Sequence, residues 1–251
     1  MREPDVPDAS RRDVIWRRDD TVANYLGATR QAIPLAAEQL DAAMRAIGAF
    51  AVPTRSVLDV GSGGGSAAAA ISQCFPVERI TLVDFSMPML RQRIVRFEGS
   101  PWLVDLIEAD LQDPAWQDEL PADQPAYDLV VSRYAIHHLP DDRKQDLYAE
   151  IFGRTAPGGL FVNIEHVSSV APVYEDIFES LIVEGMAATS ETGQDLAAAT
   201  TAFHARQDRE TNILAPADLQ CGWLRDTGFV DVNVLMKTFE LAVIVGRRPN
   251  M

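Results

Sequence analysis

Val57-Leu58-Asp59-Val60-Gly61-Ser62-Gly63-Gly64-Gly65-Ser66 runs from an apolar segment through a cluster of glycines into the alanine-rich segment that ends at Ser72. The run Val57 to Val60, apolar apart from Asp59, reads as a strand covered on both faces. The alanines that follow favour a helix, predicted here over Gly65–Cys74. Glycines at a strand-to-helix turn let peptide N–H groups approach a ligand closely, and the helix N-terminus adds partial positive charge. Such a loop suits a phosphate or a carboxylate.

Working outward, short apolar runs alternate with helical patterns. Strands are predicted at Ser56–Val60, Ile80–Phe85, Val104–Glu108, Tyr127–Arg133, Gly159–Glu165, Val230–Met236 and Glu240–Val245. Helices are predicted at Met87–Phe97, Asp141–Arg154 and Pro216–Asp226, the last with proline in its first position. This rhythm implies a seven-stranded α/β sheet, mostly parallel, with helices on both faces. Too few residues separate the last two strands for a parallel crossover, so they should close as an antiparallel hairpin.

Residues 1–52 read as an N-terminal helical cap and residues 53–251 as the sheet domain. In the cap, residues 1–12 are a polar tail, and Pro34 predicts two helices meeting at Ile33. A helical insertion, Val173–Glu184 and Gly193–His204, interrupts the rhythm after the fifth strand, at about residues 166–214.

With 37 acidic and 22 basic residues the net charge is −15, which argues against a broad grip on nucleic acid. No apolar run is long enough for a membrane span, and the charged N-terminus lacks the apolar core of a secretory signal. Cys74 and Cys221 read as isolated thiols in a reducing cytoplasm. Monomer and homodimer both stay open.

The glycine loop departs from the dinucleotide pattern G-x-G-x-x-G. Ser66 holds the third glycine's place, and Asp59 stands two residues before Gly61. Asp59-x-Gly61-x-Gly63-x-Gly65 instead resembles the first motif of class I S-adenosylmethionine (SAM) methyltransferases. Further stations follow in order: Asp84-Phe85 nineteen residues after Gly65, Asp110-Leu111 after the third strand, Ser132-Arg133 ending the fourth, and Ala156-Pro157-Gly158-Gly159 before the fifth. The resemblance implies a Rossmann-like fold, SAM as cofactor and S-adenosylhomocysteine (SAH) as product. It implies cofactor contacts from Asp59, Gly61, Ser62, Gly63, Gly65, Asp84, Phe85, Asp110, Leu111, Ser132 and Arg133. A partial similarity to carboxy-SAM synthases gives a second reading, in which SAM itself is modified. A non-catalytic SAM-binding protein is a third.

SAM is already activated, so the protein must hold an acceptor in line, exclude water and take up a proton where needed. The expected acceptor is a small metabolite. Tyr25, Arg30, Tyr134 and His137 are candidate acceptor contacts, and His138 or His166 a candidate base polarised by Glu165. The same His and Glu residues leave metal binding and plain packing as alternatives.

Overall fold

The structure, a computed structural model, describes residues 11–26, 30–92, 94–189 and 195–250. The strands are β1 (Ser56–Val60), β2 (Arg79–Asp84), β3 (Leu103–Glu108), β4 (Tyr127–Arg133), β5 (Thr155–His166), β6 (Val230–Thr238) and β7 (Leu241–Arg247). The first helices are α1 (Asp19–Asn24), α2 (Ala36–Ala49), α3 (Ser66–Cys74), α4 (Met87–Arg91) and α5 (Ile94–Phe97). The later ones are α6 (Asp141–Arg154), α7 (Pro172–Thr189), α8 (Leu196–His204) and α9 (Ala217–Asp226).

The strands form one sheet in the order β3-β2-β1-β4-β5-β7-β6. β1 to β5 are parallel, while β7 runs antiparallel between β5 and β6. Successive side chains of a strand point to opposite faces, so the sheet has a core on each side. Val57 and Leu129 pack with Ala43 and Ile47 of α2 and with Ala67 and Ile71 of α3. Leu58, Val60 and Val130 face the other way, toward Trp116, Leu147, Tyr148 and Leu224. β1 pairs with β2 on one side and β4 on the other, so the chain order reverses there. Ligand crevices of open α/β sheets lie at the C-terminal strand ends of such a switch point.

Two glycines set this corner. Gly61 has φ +66°, and a Cβ there would lie 2.2 Å from the Ala135 Cβ. Gly65 caps α3 at φ +68°, with Phe97 and Leu82 against the place where a Cβ would stand.

The N-terminal segment and the insertion cover the strand ends. Trp16 and Val22 pack on Met89 of α4, while Ala32 packs on Phe178, Ile182 and Phe203 of α7 and α8. Several local expectations change. Ala156–Gly159, expected before the fifth strand, lies within β5, which starts at Thr155. The stretch before Pro34 contains a 3-10 turn (Asp13–Arg17) and the short α1, separated at Arg18, whose backbone is extended. The second helix starts at Ala36 after a Pro34–Leu35 turn, with Leu35 at φ +55°. Pro216 caps α9 instead of occupying its first position. The expected Met87–Phe97 helix is described as α4 and α5, with Arg93 outside the described residues, as are residues 1–10 of the tail and Gly193 of the insertion. Among the described residues no helix is long and apolar enough to cross a membrane.

Gly185 of α7 is where the two covering pieces touch. A Cβ there would lie 2.7 Å from the Ala32 carbonyl oxygen, whereas one at Gly222 of α9 would meet nothing within 4 Å. Alanine in an open helix interior stabilises by up to about 1 kcal/mol, and overpacking costs roughly 1–3 kcal/mol. Gly222→Ala should therefore raise Tm, and Gly185→Ala should lower it by a few degrees, about 2–4 °C per kcal/mol at this size. Differential scanning fluorimetry of both variants checks the contact; a rise for Gly185→Ala would refute it.

Candidate active site

The glycine loop is held by the end of β2. The Ser62 N–H donates to the Val83 carbonyl at 2.9 Å, and the Gly63 N–H donates to Asp84 Oδ2 at 2.7 Å. Asp84 Oδ1 accepts from the Ser86 N–H at 2.8 Å. Burial pushes the Asp84 carboxyl up to about 6 despite these donors. Asp59 lies deeper: Oδ2 accepts from the Ala68 N–H at 3.2 Å, and burial with the nearby Asp84 charge raises its carboxyl to about 7. Asp59 Oδ1 and Ser62 Oγ are buried without a partner among the described residues.

One cavity of about 760 Å³ begins at this loop and continues beneath the covering segments. Its loop end is bordered by Gly61 to Gly64, Asp84, Phe85, Ser86, Asp110, Leu111 and Arg133. The N-terminal segment closes over it. Arg11 bridges Asp13 and Asp110, the Asp110 contacts measuring 2.5 and 3.2 Å, and Ser86 Oγ donates to the Trp16 carbonyl at 2.5 Å. Trp16 stands edge-on to Tyr25, with centroids 5.2 Å apart, and tilts against His138 at 5.8 Å.

The other end is built from three imidazoles. His137 and His138 occupy a 3-10 turn after β4, and His166 ends β5. The His137 ring lies 4.1 Å from His138 and 5.4 Å from His166, centroid to centroid. His137 Nδ1 bonds Glu165 Oε1 at 2.6 Å, and His166 Nε2 bonds Glu240 Oε2 at 2.9 Å. His138 Nδ1 contacts Thr211 through Oγ1 at 2.9 Å and the carbonyl at 3.2 Å. Burial lowers His137 well below the usual imidazole range and His138 to about 3. Burial also raises Glu165 to about 7. Phe178, Ile182 and Phe203 supply the apolar wall.

Of the candidates from the sequence, Gly61, Ser62, Gly63, Asp84, Phe85, Asp110, Leu111 and Arg133 border the cavity, as do Tyr25, Arg30, Tyr134, His137, His138 and His166. Asp59, Gly65, Ser132 and Glu165 stand behind that wall; Ser132 and Glu165 are fully buried. Glu165 reaches His137 with its side chain and only the backbone N–H of His166, so its imidazole partner differs from the expected one. Arg11, Asp13, Trp16, Met89 and Glu240 also belong to the site. Arg11 comes from the polar tail, Asp13 and Trp16 from the 3-10 turn after it, Met89 from a short helix and Glu240 from the hairpin turn, none of which carries a local motif. Among the described residues no three His, Cys, Asp or Glu side chains are placed to hold a metal ion.

Residues 57–159 match the family model described as a methyltransferase domain. A ubiquinone/menaquinone biosynthesis C-methyltransferase, UbiE, of Desulfotalea psychrophila is 25% identical over 192 residues, covering 75% of this chain and 70% of that protein. An O-methyltransferase family protein of Burkholderia thailandensis superposes with TM-score 0.67 at 17% identity, over 98% of this chain and 65% of that one. Human N-acetylserotonin methyltransferase in complex with SAM gives TM-score 0.60 at 18% identity, over 98% and 61%. The chain therefore spans less than two thirds of both solved structures. The fold is that of the SAM-dependent methyltransferases. The matched region holds the glycine loop and the acidic strand ends.

The donors and acceptors fit an adenosyl amino acid. Asp84 stands at the strand end, where its carboxylate has lone pairs left for a ligand hydroxyl, and the Gly61 approach leaves room only for hydrogen beside Ala135. Arg133 Nε is buried without a partner among the described residues, beside a loop suited to a carboxylate.

Asp84 gives the test. Its folded-state value lies above the unfolded one, so its contribution to stability is fully present below about pH 4 and is lost as pH rises through about 6. The Tm of the wild type relative to Asp84→Asn should fall over that window. By calorimetry the variant should bind SAH at least about tenfold more weakly, as loss of a charge-assisted hydrogen bond implies. A pH-independent Tm gap with unchanged SAH affinity would remove Asp84 from this role.

Proposed function

We propose that this protein is a methyltransferase that moves a methyl group from SAM to a small organic acceptor and releases SAH. One observation carries the reading: a single cavity joins the glycine loop and Asp84 to the His137–Glu165 pair and an aromatic wall. The similarity to a methyltransferase of quinone biosynthesis and to one acting on N-acetylserotonin supports a small organic acceptor. The net charge of −15 argues against a polyanion. Residues 1–52 and about 166–214 would then be the cover that shapes specificity over the 53–251 domain, which the cytoplasmic reading of the two free thiols accommodates.

In this reading Gly61, Ser62 and Gly63 present the loop to the cofactor's amino acid part, with Arg133 and Arg30 near its carboxylate. Asp84 accepts from the ribose, and Phe85, Asp110 and Leu111 flank the adenine. Asp59, Gly65 and Ser132 hold those groups from behind. When bound, SAM supplies an activated methyl group. The chain's own residues orient the acceptor hydroxyl, exclude water and remove its proton. His137 is the base: ionised Glu165 accepts from Nδ1–H, which leaves the Nε2 lone pair to take the proton. His138, His166, Tyr25 and Tyr134 surround the acceptor. The carboxy-SAM synthase alternative has less support. Its added carboxylate calls for a cation on the last helix, yet no residue of α9 borders the cavity and Trp223 is buried in the core.

Protonation of Glu165 reverses the His137 hydrogen bond, placing the proton on Nε2 and removing the base. SAH release from SAM in the presence of an acceptor panel should therefore fall as pH drops through about 7. Glu165→Gln should abolish that inflection. His137→Ala should lower kcat by about 10²–10⁴-fold with SAH affinity retained. A pH profile unchanged by Glu165→Gln, with wild-type turnover from His137→Ala, would overturn this assignment.

A further inference from the structure

The hydrogen-bond partners of the three histidines fix which ring nitrogens carry protons. Ionised Glu165 and Glu240 only accept, so His137 donates from Nδ1 and His166 from Nε2. Thr211 Oγ1 gives its single hydrogen to the Asp208 carbonyl at 2.7 Å, so toward His138 it accepts, and His138 Nδ1 is the donor. In the neutral rings the remaining nitrogens, Nε2 of His137, Nε2 of His138 and Nδ1 of His166, are lone pairs. None has a hydrogen-bond donor among the described residues, and all three rings border the same cavity. Burial keeps His137 and His138 uncharged at neutral pH.

Three neighbouring ring acceptors without a donor partner leave this corner of the cavity short of hydrogens. A carboxylate or phosphate would only add further acceptors beside these lone pairs. Of the cations at that end, Arg206 is paired with Asp208 at 2.5 Å and Arg209 with Glu179 at 3.0 Å. The wall opposite is apolar and aromatic: the Phe178 ring lies 5.4 Å from His166, and Phe203 and Ile182 stand beside it. From this juxtaposition we infer that the methyl acceptor is an uncharged aromatic carrying at least two hydroxyl groups. One hydroxyl donates to His137 and is methylated, and another donates to His166 or His138. The proton of the reacting hydroxyl passes to His137 Nε2, the oxygen–methyl bond forms as the sulfur–methyl bond breaks, and SAH leaves. The second hydroxyl is held unchanged.

This inference rests on the methyltransferase reading, and the experiment separates the two. SAH is titrated first by calorimetry; absence of binding counts against the cofactor reading alone. Catechol, resorcinol, hydroquinone, phenol and benzoate are then titrated by ligand-observed NMR, with and without SAH. At least one dihydroxybenzene should bind about tenfold or more tightly than phenol, and benzoate should bind most weakly, because an unmet buried acceptor penalises a ligand without its hydrogen. His166→Ala should shrink the margin over phenol to about threefold or less, and His166→Gln, which keeps an acceptor, should restore part of it. The wild-type panel decides even where a variant fails to fold. Phenol or benzoate matching the best dihydroxybenzene, or no dihydroxybenzene binding at all, would overturn the proposal.

Discussion

A carboxylate gripped by two peptide N–H groups holds the site together. Asp84 accepts from Gly63 on one side and from Ser86 on the other, tying the loop after β1 to the first turn after β2. Without that tie the glycines, with three of five loop positions at positive φ, would have many other conformations open to them. The cost is a buried acid whose ionisation is disfavoured, and a ligand hydroxyl donating to it would relieve that cost. The loop, the neighbouring orphan atoms of Asp59 and Ser62, and the covering Trp16 segment all take their places from this corner.

At the far end of the cavity burial acts in the opposite sense on a different residue type. Desolvation strips His137 and His138 of charge, turning them into acceptors, while two glutamates and one threonine decide which nitrogen keeps its hydrogen. The same low-dielectric surroundings thus disfavour charge on an acid near the glycine loop and on bases at the histidine end. The two effects together leave uncharged acceptors at the histidine end of the cavity, with Arg206 and Arg209 paired at its border.

Much of this was legible in the sequence, for physical reasons. The predicted bounds of β1, β4 and α6 match the structure residue for residue, because each apolar or amphipathic run stops abruptly at glycine, arginine or a new strand. The hairpin of β6 and β7 followed from the brevity of its connection. What escaped were contacts between distant segments. Glu165 and His166 are neighbours in the chain, but consecutive strand residues face opposite ways. The glutamate therefore meets His137 from the adjoining strand's loop, and His166 meets Glu240 from the hairpin turn. Arg11 is similar: a polar tail residue acquires its meaning only across 99 positions, at Asp110. Pro34 did mark a break, but the turn it makes with Leu35 delays the helix by two residues.

The near-contact of Gly61 with Ala135 has a wider bearing. Position 61 belongs to the glycine loop, and position 135 begins the turn that carries His137 and His138. The two ends of the cavity therefore meet at one crowded point where neither backbone has room to yield. Any remodelling of the cavity, by selection or by an engineer, is steered away from residues 134–139 and toward the α7 and α8 side chains of the apolar wall.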